Sequence, residues 1–385
     1  MDFDYHLAKL RQHIEAENFA GYDPYDGLNS PITRVLSLGR KYGRISFIQG
    51  MKRSPLNLRP LLGIKKGHNP KGIGLFLWGY AKLYKTDPRP EYFEKTERLL
   101  DLLEQLKSTG YSGNCWGYNF DWQSRAFYVP KQTPTIVNSA FIGHALLDTY
   151  LHTGNKKALE MAVPIKDFIL NDLNRSEEKG TICFSYTPLD HTAVHNANLL
   201  GASLLIRLYP YTNDKRLKDT GLASLAYTMN HQKPDGSWYY ADTSFQSWID
   251  SFHTGFNLQS IQYFLEEGFA EEYRPAFARG VDYYAQNFFL ADGTPKYYHD
   301  RIYPIDIHSP AQALVFFSRM GRPYDELTDR ILTWTLNNMQ DQQGYFYFQK
   351  LEKYTNKIPY MRWGQAWAFH ALTEYAFARS KVTPL

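Results

Sequence analysis

Gln232-Lys233-Pro234-Asp235-Gly236-Ser237-Trp238, followed by Tyr239-Tyr240 and then Trp248-Ile249-Asp250-Ser251-Phe252-His253-Thr254-Gly255-Phe256-Asn257, reads as four pieces. They are a helix end, a glycine turn, a loop rich in aromatics and acids, and the start of a more apolar helix. The same order recurs along the chain. Apolar helix starts at Thr135, His195, His253, His308 and Arg362 are separated by 60, 58, 55 and 54 residues. A slowly shrinking period of that length marks a solenoid of helical hairpins. Amphipathic helices precede these starts: Leu99, Leu102, Leu103 and Leu106 share one face of the first. Others begin at Lys156 and Asp214 or span 270–288 and 324–340. Gly143, Gly201, Gly255, Ala311 and Gly364 fall early in the second helix of each pair. Glycine costs a helix interior about 1 kcal/mol against alanine, so small residues in register imply close helix approach at the centre.

Upstream the pattern is looser. A helix over 2–18 ends in the turn from Gly21 to Gly27, a helical segment starts near Pro31, 57–72 is a loop, and Gly74 to Tyr84 is an apolar helix. Counting this unit, six hairpins can close on themselves and bury both end faces. Sustained period-two alternation is absent, though the loops have room for short hairpins such as Tyr345 to Phe348. The expected fold is all-α, one (α/α)6 toroid over 1–385, with 1–88 less regular and 89–385 forming five regular repeats.

The 385 residues carry 43 Lys+Arg against 39 Asp+Glu, spread along the chain rather than gathered in a basic run, which argues against nucleic acid. Aromatics reach 16%, with 30 Tyr; a flat apolar face with a polar tip suits helix packing and sugar rings alike. Two cysteines, Cys115 and Cys183, exclude a disulfide scaffold, and they lie in separate loops without a Cys-His pair, so no metal or cofactor is expected. The N-terminus lacks the basic and apolar regions of a signal peptide, and no apolar run reaches the ~20 residues of a membrane span. A soluble cytoplasmic protein is the expectation.

Rotation between repeats brings the inner-helix starts to one mouth of the ring. Asp250, His253, Asp306 and His308 are the candidate acids, bases and their partners. Candidate substrate-binding residues are Trp116, Asp121, Trp122, Arg125, His195, Asn198, Trp238, Tyr239, Tyr303, Arg362 and Trp363. Acids, imidazoles, amides and aromatics around one concavity suit a carbohydrate. Asp190, Asp250 and Ser309 also stand where helix N-caps belong, and Arg362 fits either an anionic sugar or a salt bridge to a loop acid. Glycoside hydrolysis needs two carboxylates ~5–9.5 Å apart, whereas lyases and uronyl epimerases need a base and an acid around a proton beside a carboxylate. Glu is nearly absent from the mouth, which keeps the second chemistry open.

Gln232 to Gly236 to Trp238, and Gln340 to Gly344 to Phe346, resemble the Gln-Trp repeat of terpene cyclase toroids. Segments Asn114 to Trp122, His195 to Asn198, Asp250 to Gly255, Pro304 to His308 and Arg362 to Trp367, over about 110–380, resemble the VpsJ-like polysaccharide biosynthesis proteins of bacterial capsule and exopolysaccharide clusters. Tyr303 to His308 is similar to the helical domain of glucuronyl C5-epimerases, and the scaffold is similar to six-hairpin glycosidases. These resemblances imply a carbohydrate-active protein of surface-polysaccharide assembly, with a glycan intermediate and assembly proteins as partners. Its alternatives are a non-catalytic glycan-binding or scaffold protein, and a toroid acting on a lipid substrate. An aromatic mouth without acids would favour the last.

Overall fold

The computed structural model describes residues 2–124 and 127–381. Helix α1 (Phe3–Ala16) is followed by an insert carrying α2 (Pro31–Leu36) and α3 (Lys41–Arg53). Then come α4 (Pro70–Thr86), α5 (Pro90–Gln105), α6 (Ile136–Thr153), the paired α7 (Lys156–Ala162) and α8 (Ile165–Asn171), α9 (His195–Thr212) and α10 (Lys215–Asn230). The chain ends with α11 (Ser251–Glu266), α12 (Arg274–Asn287), α13 (His308–Met320), α14 (Asp325–Met339) and α15 (Trp367–Ser380). Helices α4, α6, α9, α11, α13 and α15 each pack on the next, and α15 packs back on α4. This closed inner ring is wrapped by α5, α7, α10, α12, α14 and α1. The molecule is an (α/α)6 toroid.

Burial explains why inner and outer helices read differently. Helix α9 is buried from His195 to Leu208 and so lacks an amphipathic stripe, whereas α5 buries Tyr92, Thr96, Leu99, Leu100 and Leu103 on one face. Small residues let the inner helices touch: a Cβ on Gly143 would lie 2.4 Å from Leu204, and one on Gly201 would lie 2.3 Å from Ile136. Gly364 is the exception, with nothing nearer than 3.6 Å.

The Gln-to-Gly turn joins one hairpin to the next. Gln232 Nε2 donates to the carbonyls of Gly236 and Ala276, and Gln340 Nε2 donates to those of Gly344 and His6. Gly236 (φ +93°) abuts the backbone of Arg279 on α12, and Gly344 (φ +95°) abuts that of Lys9 on α1. Only glycine fits both the left-handed backbone and the approach. Because the last turn grips α1 as the earlier one grips α12, the first helix completes the outer ring.

Short antiparallel strands decorate the loops: Trp122–Gln123 with Tyr128–Val129, Arg175–Glu178 with Thr181–Phe184, and Ile305–Asp306, Gln349–Lys350 and Thr355–Asn356 as a three-strand ribbon. The hairpin expected at Tyr345 to Phe348 lies just upstream of this ribbon's middle strand; Phe346 and Phe348 are core residues instead. Ser309 lies inside α13 rather than capping it; Asp306 accepts the His308 N–H at 2.9 Å. Asp190 folds its own loop, accepting from the Thr187 and Thr192 backbones. Asp250 does cap α11, accepting the His253 N–H at 3.0 Å.

The C-terminal halves of the inner helices meet in a charged plug. Asp148 on α6 pairs with Arg207 on α9 and accepts from Trp78 Nε1 at 2.6 Å. Lys82 on α4 pairs with Glu374 on α15, and Arg319 on α13 pairs with Glu266 on α11. His144 stacks on Tyr263 and His370 on Trp78. The opposite, N-terminal ends surround a cavity.

Candidate active site

The cavity has a volume of about 490 Å³. Inner-helix starts supply its floor: Lys71 from α4, Val137 from α6, Asn196 from α9, Phe252, His253 and Phe256 from α11, and His308 from α13. Arg362 and Trp363 come from a single π-helical turn, Met361–Ala366, that leads into α15. Loops add Tyr118, Phe120, Trp122, Tyr186, Tyr240, Trp248, Tyr297 and Tyr298, and α3 contributes Ile45, Gln49 and Arg53 at one side. Fourteen of the 27 described lining residues are aromatic, and none is Asp or Glu.

Two histidines face this space in different settings. His253 Nδ1 lies 2.6 Å from Asp250 Oδ2 and donates to it, which leaves Nε2 facing the cavity. Tyr240 packs on the same ring at 4.6 Å. The His308 ring is buried between Phe252, Trp363 and Trp367, and both its nitrogens lack a hydrogen bond. Burial, then the charges of Lys71, Arg362 and His253, hold His308 well below the usual imidazole range. It is therefore a neutral imidazole that can donate from one nitrogen and accept at the other.

Lys71 is 3% exposed, and its Nζ makes no hydrogen bond or ion pair among the described residues. Its Nζ lies 4.1 Å from the Phe141 ring centre and 5.2 Å from that of Trp367. Burial, then the neighbouring Arg362, pushes its amine well below the usual lysine range against the pull of Asp23. Arg362 takes the salt-bridge option: Nε and Nη2 grip the two carboxylate oxygens of Asp23 at 2.6 and 2.8 Å. Six helix N-termini add positive potential to these cations. Burial keeps the phenols of Tyr118, Tyr186, Tyr240 and Tyr297 protonated, so they act as hydrogen-bond donors rather than bases.

The structure brings His253, His308, Trp122, Arg362 and Trp363 to the cavity and places the other candidates elsewhere. Asp250 lies behind His253 and also accepts from Trp248 Nε1. Asp306 is sealed behind His308 and Trp363, accepting from Trp363 Nε1 at 2.8 Å and Gln349 Nε2 at 2.7 Å, and burial raises its carboxyl. His195 points to the α10 side, 2.8 Å from Asp242. Asn198 ties the Phe184 N–H to the Ser224 carbonyl, Trp116 donates to the Leu103 carbonyl, and Trp238 donates to that of Thr228. Asp121 binds Arg34 and the Lys131 N–H. Tyr239 and Tyr303 are exposed on the loops, and Arg125 lies outside the described residues. Sequence reasoning missed Lys71, because the insert breaks the period before α4. Its signal was Asn69-Pro70, a cap followed by proline at the first helical position, which marks a sixth inner-helix start. Among the described residues no group of three or more His, Cys, Asp or Glu is arranged to hold a metal ion.

No family model and no curated protein matches the chain. Solved structures do. Cellobiose 2-epimerase from Bacillus thermoamylovorans superposes with a TM-score of 0.64 at 15% identity, over 81% of this chain and 88% of that one. The GH76 α-mannanase BT2949 of Bacteroides thetaiotaomicron gives 0.61 at 16%, over 81% and 87%. The Lin0763 protein of Listeria innocua gives 0.65 at 13%, over 98% and 97%. At these identities the likeness establishes the fold, a six-hairpin toroid used by carbohydrate-active enzymes.

Proposed function

We propose that the protein modifies a glycan by proton transfer, in the manner of an epimerase or lyase rather than a two-carboxylate hydrolase. The carrying observation is the cavity lining, which has two histidines, a buried lysine and two arginines but no Asp or Glu. In this reading His253, oriented by Asp250, removes a proton beside a carbonyl or carboxylate of a sugar. His308 serves the opposite face, and Lys71 with Arg362 stabilises the oxyanion that develops. The aromatic walls stack on the sugar rings. The resemblance of the segments Asn114 to Trp122, His195 to Asn198, Asp250 to Gly255, Pro304 to His308 and Arg362 to Trp367 to VpsJ-like proteins supports a role in assembly of a surface polysaccharide. The test is deuterium exchange from D2O into candidate mono- and oligosaccharides, followed by NMR. Exchange that disappears in His253→Asn while glycan binding persists supports the reading. Cleavage that gives only saturated, hydrolysed products, or exchange unchanged in His253→Asn, overturns it, and binding without any reaction leaves the glycan-binding alternative.

A second reading keeps a lipid in the substrate, because an aromatic lining without acids is what a toroid acting on an apolar molecule would present. The two readings meet in a glycan carried on a lipid.

A further inference from the structure

Residues 31–66, the insert carrying α2 and α3, hold nine of the 43 basic residues and none of the 39 acidic ones, so the remainder carries 34 against 39. The expectation of evenly spread charge is corrected accordingly: no consecutive basic run exists, but one segment is wholly cationic. The same segment exposes Val35 by 71%, Leu38 by 71%, Tyr42 by 79%, Leu56 by 69% and Leu61 by 80%. Helix α2 buries only Thr33, and α3 buries Ile48 and Met51 while turning Ile45, Gln49 and Arg53 toward the cavity. Val35, Leu38, Leu56 and Leu61 stand out from α2 and from the loops flanking α3, and Tyr42 lies on the same stripe of α3 as Ile45, Gln49 and Arg53, at the rim of the cavity. Of the cations, Arg59 is sealed on Asp26, Arg34 pairs with Asp121 and Lys66 with Glu17. Arg40, Lys41, Arg53 and Lys65 are exposed and make no ion pair among the described residues. Pro31 lies against Gly63, so the insert's two ends are neighbours.

We propose that this insert docks on an anionic lipid bilayer, its Val, Leu and Tyr side chains entering the headgroup–acyl boundary while Arg40, Lys41, Arg53 and Lys65 meet lipid phosphates. Apolar residues embedded in a cationic, acid-free segment are the pattern that interfacial anchors use. Like charge on both sides argues against a second copy of the chain on the same face. No described helix is long and apolar enough to cross a membrane, so contact would be at the surface. Because α3 lines the cavity on one face and carries this patch nearby, docking would hold the cavity mouth close to the lipid, within reach of a glycan borne on it.

The experiment is co-sedimentation of the full chain with vesicles of phosphatidylcholine alone and of phosphatidylcholine with phosphatidylglycerol, at about 0.15 M salt. Pelleting with the anionic vesicles only is expected. Leu36→Glu/Leu38→Glu should release the protein, and Arg40→Glu/Lys41→Glu should weaken binding at least about tenfold. Both pairs are exposed, so thermal melts should match the parent. A parent chain that stays in the supernatant, pellets equally with both vesicle types, or binds as well in both variants overturns the proposal. A dimer in sedimentation velocity that Leu36→Glu/Leu38→Glu dissolves would also overturn it and assign the face to self-association.

Discussion

Asp250 and His253 stand one turn apart at the start of α11, and the carboxylate does two jobs with its two oxygens: Oδ1 accepts the His253 backbone N–H and Oδ2 its ring Nδ1–H. One residue caps the helix and fixes the imidazole tautomer. Asp306 accepts the His308 backbone N–H in the same way but does not touch that ring.

This difference separates two otherwise matched substitutions. Asparagine caps a helix as well as aspartate, so Asp250→Asn should keep α11, losing about 1–3 kcal/mol because its amide meets the Trp248 and His253 donors, while kcat falls at least about a hundredfold through the wrong tautomer. Asp306→Asn replaces one of two accepting oxygens in a fully donor-lined site and should destabilise the fold by about 1–3 kcal/mol. Steady-state kinetics beside urea unfolding checks both. If Asp306→Asn lost turnover at unchanged stability, the catalytic carboxylate would be Asp306.

Lys71 is expected to show opposite effects on stability and binding. A buried amine without a counter-ion is a cost to the fold, so Lys71→Met should raise the urea midpoint, by roughly 1 kcal/mol of stability. The same variant should lower affinity for the sugar substrate tenfold or more. Lower stability with unchanged binding would make Lys71 a packing residue.

Stability should fall as pH is lowered from 8 to 6. His144, His308 and His370 are all held well below 6.5, each by burial first, so below that value the unfolded chain takes up protons that the native state refuses. Three such groups give a slope of up to about 4 kcal/mol per pH unit. Lys71, lowered from 10.5 by burial first, acts in the same direction. Asp26, raised by burial to about 6, binds its proton in the native state first and opposes the trend only below that pH. Urea unfolding across the range measures the slope. A flat profile would mean that the histidines are charged in the folded protein.

The toroid was legible because its repeats are near-copies, and the positions of Thr135, His195, His253 and His308 fell within two residues of the helix starts observed. The site was only half legible. Position along the repeat predicts which residues reach the mouth, but not which way a side chain turns there. His195 and His308 begin equivalent helices, yet Asp242 draws one outward while the other lies among the cavity aromatics. Arg362 was ambiguous for the same reason, since Asp23 is 339 positions away in sequence. The six tyrosines of the wall come from loops of unequal length, where no period guides the reading.

The grip of the last turn on α1 has a consequence for the order of the chain. Phe3 packs on Tyr375 with ring centres 5.2 Å apart, so the two ends of the described chain are spatial neighbours. A circle of hairpins joined in this way has no privileged starting point: a short linker from the end of α15 to α1, with new ends opened in an exposed loop, should leave the architecture unchanged.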